Sequence, residues 1–230
     1  MRSELEHVSG LPLGSFRSEH VAQQLQRAFE REQVGDEECL ARVLRRDHEA
    51  RHRFRRSIAI SHGAMFRDPE QFTLLEEVLL PRLLAGGKRM SVWSAGCADG
   101  AELHTLALVL SRMGLLEGSV LLGSDLLEEN LAIAQVGTFD GVTDAVRARV
   151  RFEQRDLVTD GPPPGRWRLV LCRNVAIYMG PEARKRLYAN LVAALSRRGV
   201  LLLGRSERLI DPAAFGLRVI GPHAYERMGG

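Results

Sequence analysis

The spacing of apolar residues divides the chain into two parts with different predicted secondary structure. Between Ser18 and Ile58 apolar residues recur at roughly helical intervals, interrupted by a turn at Gly35-Asp36. The pattern predicts an all-helical N-terminal domain over residues 15–75. Another helix is predicted over residues 72–84, and it ends at the Gly86-Gly87 pair.

Strand-like and helix-like segments alternate in the second part, residues 76–230. This alternation is typical of an α/β domain whose mostly parallel, doubly wound sheet is covered by helices. We expect a Rossmann-like sheet of seven strands that ends in an antiparallel hairpin around Gly221-Pro222. The predicted strands are 89–94, 119–124, 149–154, 168–172, 199–204, 217–220 and 224–227, and the predicted helices are 100–113, 127–136 and 181–195.

The composition fits a globular protein with one substantial core. Of 230 residues, 45% are hydrophobic and 27% are charged. No apolar run approaches the roughly 18 residues of a membrane span, and the first twenty residues lack the apolar stretch of a signal peptide. We therefore expect a cytoplasmic protein without membrane insertion. Cys39, Cys97 and Cys172 have no metal-ligand spacing, so we expect free thiols and no metal site.

The formal net charge of +3 conceals a cluster of arginines in the predicted helical domain. Such a cluster either faces an acidic partner or forms a solvated helix face, since acidic residues are interspersed with it. We expect an acidic protein partner and no nucleic acid. The cluster consists of Arg42, Arg45, Arg46, Arg51, Arg53, Arg55, Arg56 and Arg67.

Polar residues and glycines follow several predicted strands at the point where each strand ends. Gly96 and Gly100 form a strand-turn-helix arrangement that suits either a nucleotide-type ligand or a tight structural turn. Asp125 is the best candidate to accept hydrogen bonds from ribose hydroxyls, although it also suits the cap of the next helix. Asp156 and Asn174 follow two further strands, which favours a ligand crevice at this edge of the sheet.

Four sequence blocks, in order along the chain, resemble the motifs of the CheR-type chemoreceptor methyltransferases. The resemblance covers most of the chain and implies a class I methyltransferase domain that uses S-adenosyl-L-methionine and releases S-adenosyl-L-homocysteine (SAH). The blocks are Phe66-Arg67-Asp68, Val92 to Glu102 with Trp-Ser-Ala-Gly-Cys, Cys172-Arg173-Asn174-Val175-Ala176-Ile177-Tyr178, and Gly204-Arg205-Ser206-Glu207.

The resemblance also implies a set of site residues. Glu102 would hold the amino group of the cofactor, Asp125 the ribose, and Asp156 with Leu157 the adenine, while Gly96 lines the site and Asn174 closes it. The full set of implied cofactor-binding residues is Phe66, Arg67, Ala95, Gly96, Glu102, Asp125, Leu126, Asp156, Leu157, Arg173 and Asn174.

The same resemblance places Arg67 and Tyr178 near the transferred methyl group, as catalytic residues. A glutamate acceptor, with an ordinary pKa of about 4.3, is already an anion at neutral pH and needs no general base. The two side chains would then orient the carboxylate for in-line displacement. Alternatively, Arg67 pairs within the helical linker and Tyr178 is a core aromatic residue.

The sequence departs from the family pattern at three places. Ala101 replaces a glutamate of the glycine-rich motif, and Ser61 and Gly63 replace an asparagine and a threonine that touch the cofactor, with His62 as a candidate substitute contact. Between Gly137 and Arg155, about a dozen residues are too few for the three-stranded insertion that docks a receptor tail.

These observations predict a protein-glutamate O-methyltransferase that acts on an acidic protein, such as a cytoplasmic helix of a chemoreceptor. Two alternatives stay open. One is a small-molecule carboxyl or hydroxyl methyltransferase on the same scaffold, which the missing insertion favours. The other is a non-catalytic adaptor that binds the cofactor, which the altered Ala101, Ser61 and Gly63 suggest.

Overall fold

The structure, a computed structural model, describes residues 2–59, 65–87 and 89–229. The chain forms two compact units, one of Met1–Ser61 with Tyr178–Lys185 and one of His62–Ile177 with Arg186–Gly230. By this division residues 62–75 belong to the second unit, whereas the sequence pattern predicted a boundary after residue 75. The substitutions at Ser61 and Gly63, and the candidate contact His62, lie outside the described residues.

The first unit is helical, with one more break than the periodicity predicted. Its elements are α1 (Arg2–Ser9), a 3-10 turn (Leu13–Ser15), α2 (Ser18–Glu32), α3 (Glu37–Arg46) and α4 (His48–Ile58). Asp36 caps α3 by accepting a hydrogen bond from the Cys39 N–H, and Asp47 caps α4 in the same way from the Ala50 N–H. The break at Asp47 was not predicted, because it leaves the apolar spacing nearly undisturbed.

A second segment of chain, residues 178–185, completes the first unit through backbone pairing. The Arg17 N–H donates to the Tyr178 carbonyl over 2.9 Å, and the Gly180 N–H donates to the Ser15 carbonyl over 3.0 Å. Phe16 and Met179 form the antiparallel bridge between these contacts. Tyr178 therefore belongs to the helical unit, and its ring centroid lies 5.2 Å from that of His20.

The second unit alternates strands and helices close to the predicted boundaries. Residues 69–84 form α5 (Pro69–Leu74), a π-helical turn (Leu75–Leu79) and α6 (Leu80–Leu84). The later helices are α7 (Ala101–Arg112), α8 (Glu128–Val136), α9 (Asp144–Arg147) and α10 (Pro181–Ala194). The first part of α10, up to Lys185, belongs to the first unit. The strands are β1 (Ser91–Ala95), β2 (Val120–Asp125), β3 (Val150–Gln154), β4 (Trp167–Cys172), β5 (Leu195–Leu203), β6 (Leu217–Gly221) and β7 (Ala224–Arg227).

The seven strands form one sheet in the order β3-β2-β1-β4-β5-β7-β6. The first five strands in this order are parallel to one another. β7 is antiparallel to β5, and β6 is antiparallel to β7. The predicted class I methyltransferase fold, with its terminal antiparallel hairpin, is confirmed. The central strands β1 and β4 are almost wholly buried, as expected for parallel strands that are covered on both faces.

Residues 137–149 connect α8 to β3, the place where the family's receptor-tethered members carry their insertion. This connection, all of it described, contains the short helix α9 and turns but no strand. Thr143 caps α9 by accepting a hydrogen bond from the Val146 N–H. Across the described part of the chain, every helix is too short or too polar to cross a lipid bilayer. Cys39, Cys97 and Cys172 are free thiols.

His104 is a buried polar residue on α7, in the core between Phe139 and Phe152. Its Nε2 lies 2.9 Å from the Ala134 carbonyl oxygen and must carry the proton, since a carbonyl only accepts. Its Nδ1 has no hydrogen-bond partner among the described residues. Burial lowers the pKa of the ring below its ordinary value, and the nearby Arg147 lowers it further, although the bond to Ala134 opposes both.

We predict that His104 makes folding sensitive to mild acid. Because its pKa is lowered in the folded state, its contribution is intact above about pH 6.5 and is lost as the pH falls below that value. His104→Gln keeps a donor for the Ala134 carbonyl but cannot titrate. Urea unfolding at pH 7.5 and 5.5 should show a pH-dependent loss up to about 1 kcal/mol larger in the wild type. Equal losses in the two proteins would contradict the assignment.

Candidate functional site

The strand register brings the predicted ligand residues to one edge of the sheet. Ala95 at the end of β1 pairs with Ser124, and Asp125 at the end of β2 pairs with Gln154. The other neighbour of β1 is β4, which leads into Arg173 and Asn174. The chain order reverses between β1 and β4, which is the position where open α/β sheets bind their ligands.

The turn after β1 is held tightly against its neighbours. The backbone N–H groups of Gly96 and Cys97 both donate to the Ser124 carbonyl, over 2.8 and 3.0 Å. Gly96 has φ +79°, and a Cβ atom there would lie 2.5 Å from Cγ2 of Val175 in the turn after β4. Glycine is thus required here by backbone conformation and by close packing, and the predicted contact of Gly96 with the cofactor stays a prediction.

Asp125 is buried, and both of its carboxylate oxygens already accept hydrogen bonds from the protein. Oδ1 accepts from the Leu127 N–H and the Asn130 side chain, each over 3.0 Å, and Oδ2 accepts from the Ala98 N–H over 2.9 Å. Burial raises the pKa of Asp125 above its ordinary value, although these bonds lower it in part. A carboxylate has about four acceptor positions, so Oδ2 retains capacity for one further donor.

Asp125 is not itself the helix cap, because the N-cap residue of α8 is Leu127. Its bond to the Leu127 N–H nevertheless fixes the start of that helix. The two alternatives from the sequence are therefore compatible, since one carboxylate oxygen organises α8 while the other faces the glycine turn.

Glu102 and Arg173 form a buried ion pair beside this edge. Glu102 Oε2 accepts from Arg173 Nη1 over 2.8 Å, while Oε1 accepts from the Ser94 hydroxyl over 2.8 Å. The Glu102 side chain is 18% exposed and that of Arg173 only 4%. The carboxylate is thus held by two protein groups and still has acceptor capacity.

Arg173 connects Glu102 to the beginning of α5. Its Nε donates to the Gln71 side chain over 2.8 Å, and its Nη2 donates to the Asp68 carboxylate over 3.0 Å and to the Arg67 carbonyl. The guanidinium carbon also lies 5.4 Å from the centre of the Phe72 ring. The guanidinium is therefore engaged mainly by protein groups, and its predicted contact with the cofactor stays a prediction.

Glu207 is a residue of the fourth motif whose role the sequence analysis missed. Its buried carboxylate accepts four backbone N–H bonds of 2.6–2.9 Å, from Asn174, Val175, Ala176 and Gly204. A Cβ at Gly204 would lie 2.7 Å from Glu207 Oε2 and 2.9 Å from the Asn174 nitrogen. Glu207 therefore fixes the turns after β4 and β5. The signal in the sequence was its place in the fourth motif block, directly after the apolar strand that ends at Leu203.

The remaining predicted residues differ in exposure and partners. Asp156 accepts bonds from the Val158 and Thr159 N–H groups and so caps its own turn, while the Leu157 side chain is buried. Asn174 has φ +61°, a conformation that asparagine tolerates better than most residues. Ala95 is buried, Leu126 is half-buried, and Phe66 and Arg67 are exposed. Arg67 belongs to the second unit and Tyr178 to the first.

The carboxylates at this edge suit the cofactor that the sequence resemblance implies. An amino-acid ammonium group needs anionic acceptors, and ribose hydroxyls need acceptors near a glycine turn. Glu102 and the free side of Asp125 Oδ2 offer both within one sheet edge. The residues therefore fit S-adenosylmethionine, and the contact of Asp125 with the ribose stays a prediction.

Comparison with protein families identifies the domain that carries this edge. The model described as "CheR methyltransferase, SAM binding domain" matches residues 61–143 and 135–218, which is more than half of the chain. The chain belongs to the CheR methyltransferase family. Its cofactor is S-adenosylmethionine, as the resemblance of the motifs predicted.

Two curated relatives extend the similarity to most of the chain. The chain is 30% identical over 192 residues to a chemotaxis protein methyltransferase of Listeria innocua serovar 6a, and the match covers 73% of each protein. It is 26% identical over 242 residues to chemotaxis protein methyltransferase 1 of Pseudomonas aeruginosa, covering 89% of this chain and 87% of that protein. A solved structure of magnesium protoporphyrin IX methyltransferase from Synechocystis with bound SAH is 21% identical, with TM-score 0.42, over 67% of this chain and 66% of that chain.

We predict that Arg173 is essential to the stability of this CheR-type domain. Arg173→Met would leave the Asp68 and Glu102 carboxylates partly buried without their cation, which typically costs about 3–5 kcal/mol. The matched control is Arg205→Met, because Arg205 pairs with Glu70 on the surface over 2.9 Å and such pairs contribute about 1 kcal/mol at most. Urea unfolding measures both changes, and equal effects would contradict a structural role for Arg173.

Proposed function

We propose that this protein transfers the methyl group of S-adenosylmethionine to a glutamate side chain of another protein. The observation that carries the proposal is the pair of carboxylates at the sheet edge of a CheR-family domain, the half-buried Glu102 and the buried Asp125. The names of the relatives support a chemotaxis role for the reaction. The acceptor is then a chemoreceptor or a protein with a comparable acidic segment.

The reaction needs positioning more than acid-base chemistry. Glu102 and Asp125 would hold S-adenosylmethionine, whose sulfonium would supply an electrophilic methyl group. Transfer to the acceptor oxygen would break the carbon–sulfur bond and leave a methyl ester and SAH. No proton has to be removed, because the acceptor carboxylate is ionised at neutral pH. The residues of the chain therefore act by holding the two reactants in line and by excluding water.

Arg67 and Tyr178 are the residues that we assign to this positioning. Both lie in the motif blocks of the family, and Arg67 is an exposed cation that suits an anionic acceptor. Tyr178 ends the third motif block, and within the helical unit its carbonyl accepts a hydrogen bond from the Arg17 N–H over 2.9 Å. We treat Arg173 as a positioning residue, since it binds the Glu102 carboxylate.

The helical unit offers a basic surface for an acidic acceptor. Arg45 and Arg53 are already paired with Glu4 and Glu32. Arg46 and Arg56 are exposed, and neither has an ion-pair partner within residues 2–59, 65–87 and 89–229. Unpaired cations on a surface favour association with acidic partners and make it sensitive to salt. This supports a protein acceptor over a small acid.

The proposal predicts a base-labile methyl ester on protein. The full chain, radiolabelled S-adenosylmethionine and a chemoreceptor cytoplasmic fragment should give labelled protein that releases volatile methanol in alkali. Asp125→Asn, which keeps the size of the side chain, should reduce the yield by weakening the cofactor contact. Label only in small molecules would instead favour the small-molecule alternative, and SAH binding without any transfer would favour the adaptor.

We further predict that Arg67→Ala and Tyr178→Phe slow the transfer step more than they weaken cofactor binding. A misplacement of about 1 Å in the reacting groups can reduce the rate on the order of a hundredfold. The measurement is single-turnover methyl transfer at saturating cofactor, beside an SAH titration of the same variants. Arg112→Ala, an exposed arginine paired with Glu76, is the control. Near wild-type single-turnover rates in both variants would refute the assignment.

A further inference from the structure

A cluster of charged residues lies in the sheet domain, at the edge of the sheet opposite to the one where Asp125 and Arg173 follow their strands. It lines a cavity of about 440 Å³ near the amino ends of β4 and β5. Because β4 has six residues at about 3.3 Å each, the two edges lie on the order of 15–20 Å apart. Among the described residues, its charged lining consists of Arg82, Arg168, Arg197, Arg198, Arg218 and Glu226.

Glu226 on β7 organises two of these arginines. Its buried carboxylate accepts from Arg82 Nε over 2.9 Å and from Arg82 Nη2 over 3.1 Å, and from Arg218 Nε over 2.6 Å. Burial raises the pKa of Glu226, but the bonds from Arg82 and Arg218 outweigh burial and hold it below its ordinary value. One carboxylate thus fixes two guanidinium groups that retain other N–H donors.

The other arginines of the cavity pair with no carboxylate of the described residues. Arg168 donates to the Leu83 and Gly87 carbonyls, so it is fixed in place but keeps its full positive charge. Arg197 and Arg198 are exposed, and within the described residues neither side chain has a hydrogen-bond or ion-pair partner. Arg198 also has φ +58°, a conformation that favours glycine or asparagine. Residues in such a strained backbone conformation are often found at binding sites, so we infer that the Arg198 guanidinium contacts a ligand.

We propose that this cavity, the arginine pocket, binds a compact anion that carries several phosphate groups. Five guanidinium groups face one carboxylate, so a ligand with a single charge would leave most of the positive charge uncompensated. Planar guanidinium groups match phosphate oxygens in bidentate pairs. The cavity is bounded by α6, β4, β5, β6 and β7, which suits a compact polyphosphate better than an extended nucleic acid.

The test uses the full chain and tripolyphosphate as the probe, titrated by calorimetry at constant ionic strength. The pocket variant is Arg197→Gln with Arg198→Gln, which removes two cations whose side chains have no partner among the described residues. Its affinity should fall roughly a hundredfold, or about tenfold for each arginine. The control is Arg112→Gln with Arg149→Gln, the same charge change at exposed arginines outside the cavity. The control should keep an affinity near that of the wild type.

Arg198→Gly separates binding from folding. Glycine suits the positive φ, so this variant should be at least as stable as the wild type while it binds tripolyphosphate about tenfold more weakly. Titration with SAH should be unchanged in every pocket variant, which keeps the result independent of the proposed methyl transfer. No saturable binding by the wild type, or equal losses in pocket and control variants, overturns the proposal. So does saturable binding of an acidic peptide where tripolyphosphate does not bind.

Discussion

A buried guanidinium must be paired with anions or carbonyl groups, and Arg173 meets this requirement by drawing three separate parts of the sheet domain together. Its partners come from the Arg67-Asp68 turn, from Gln71 on α5 and from Glu102 on α7. Desolvating one cation is costly unless all of these groups are in place. The first, second and third motif blocks therefore depend on one another physically, because each supplies part of a single ionic network.

The buried carboxylate of Glu207 must likewise be satisfied by protein groups, here at the ends of β4 and β5. Within the described part of the chain the Glu207 carboxylate has no cation partner; four backbone N–H groups satisfy it and fix the turns after β4 and β5. A reaction that needs no general base gains chiefly from such fixed geometry. Protein groups also orient the other two carboxylates. Ser94 and Arg173 hold Glu102, and Ala98 and Asn130 hold Asp125.

The sequence predicted the sheet domain well because its signals are local. Apolar runs bounded by glycine and polar residues located every strand, and the parallel topology followed from their alternation with helices. The helix break at Asp47 escaped prediction, since one capping carboxylate restarts the helix without changing the apolar period. The partners of Arg173 and Glu207 also escaped, because they lie up to 106 residues away and no local pattern encodes such contacts.

Asp125 shows that residue type alone does not tell how much of a buried carboxylate the protein itself uses. From the sequence its carboxylate could serve two ribose hydroxyls, but three of its acceptor positions are already used by Ala98, Leu127 and Asn130. These bonds offset the burial that raises its pKa, and they fix where the one remaining acceptor on Oδ2 points. A buried carboxylate can be ready for a ligand only when the protein satisfies most of it first. The acceptor capacity that Asp125 retains is therefore small, and the protein contacts of the carboxylate fix its direction.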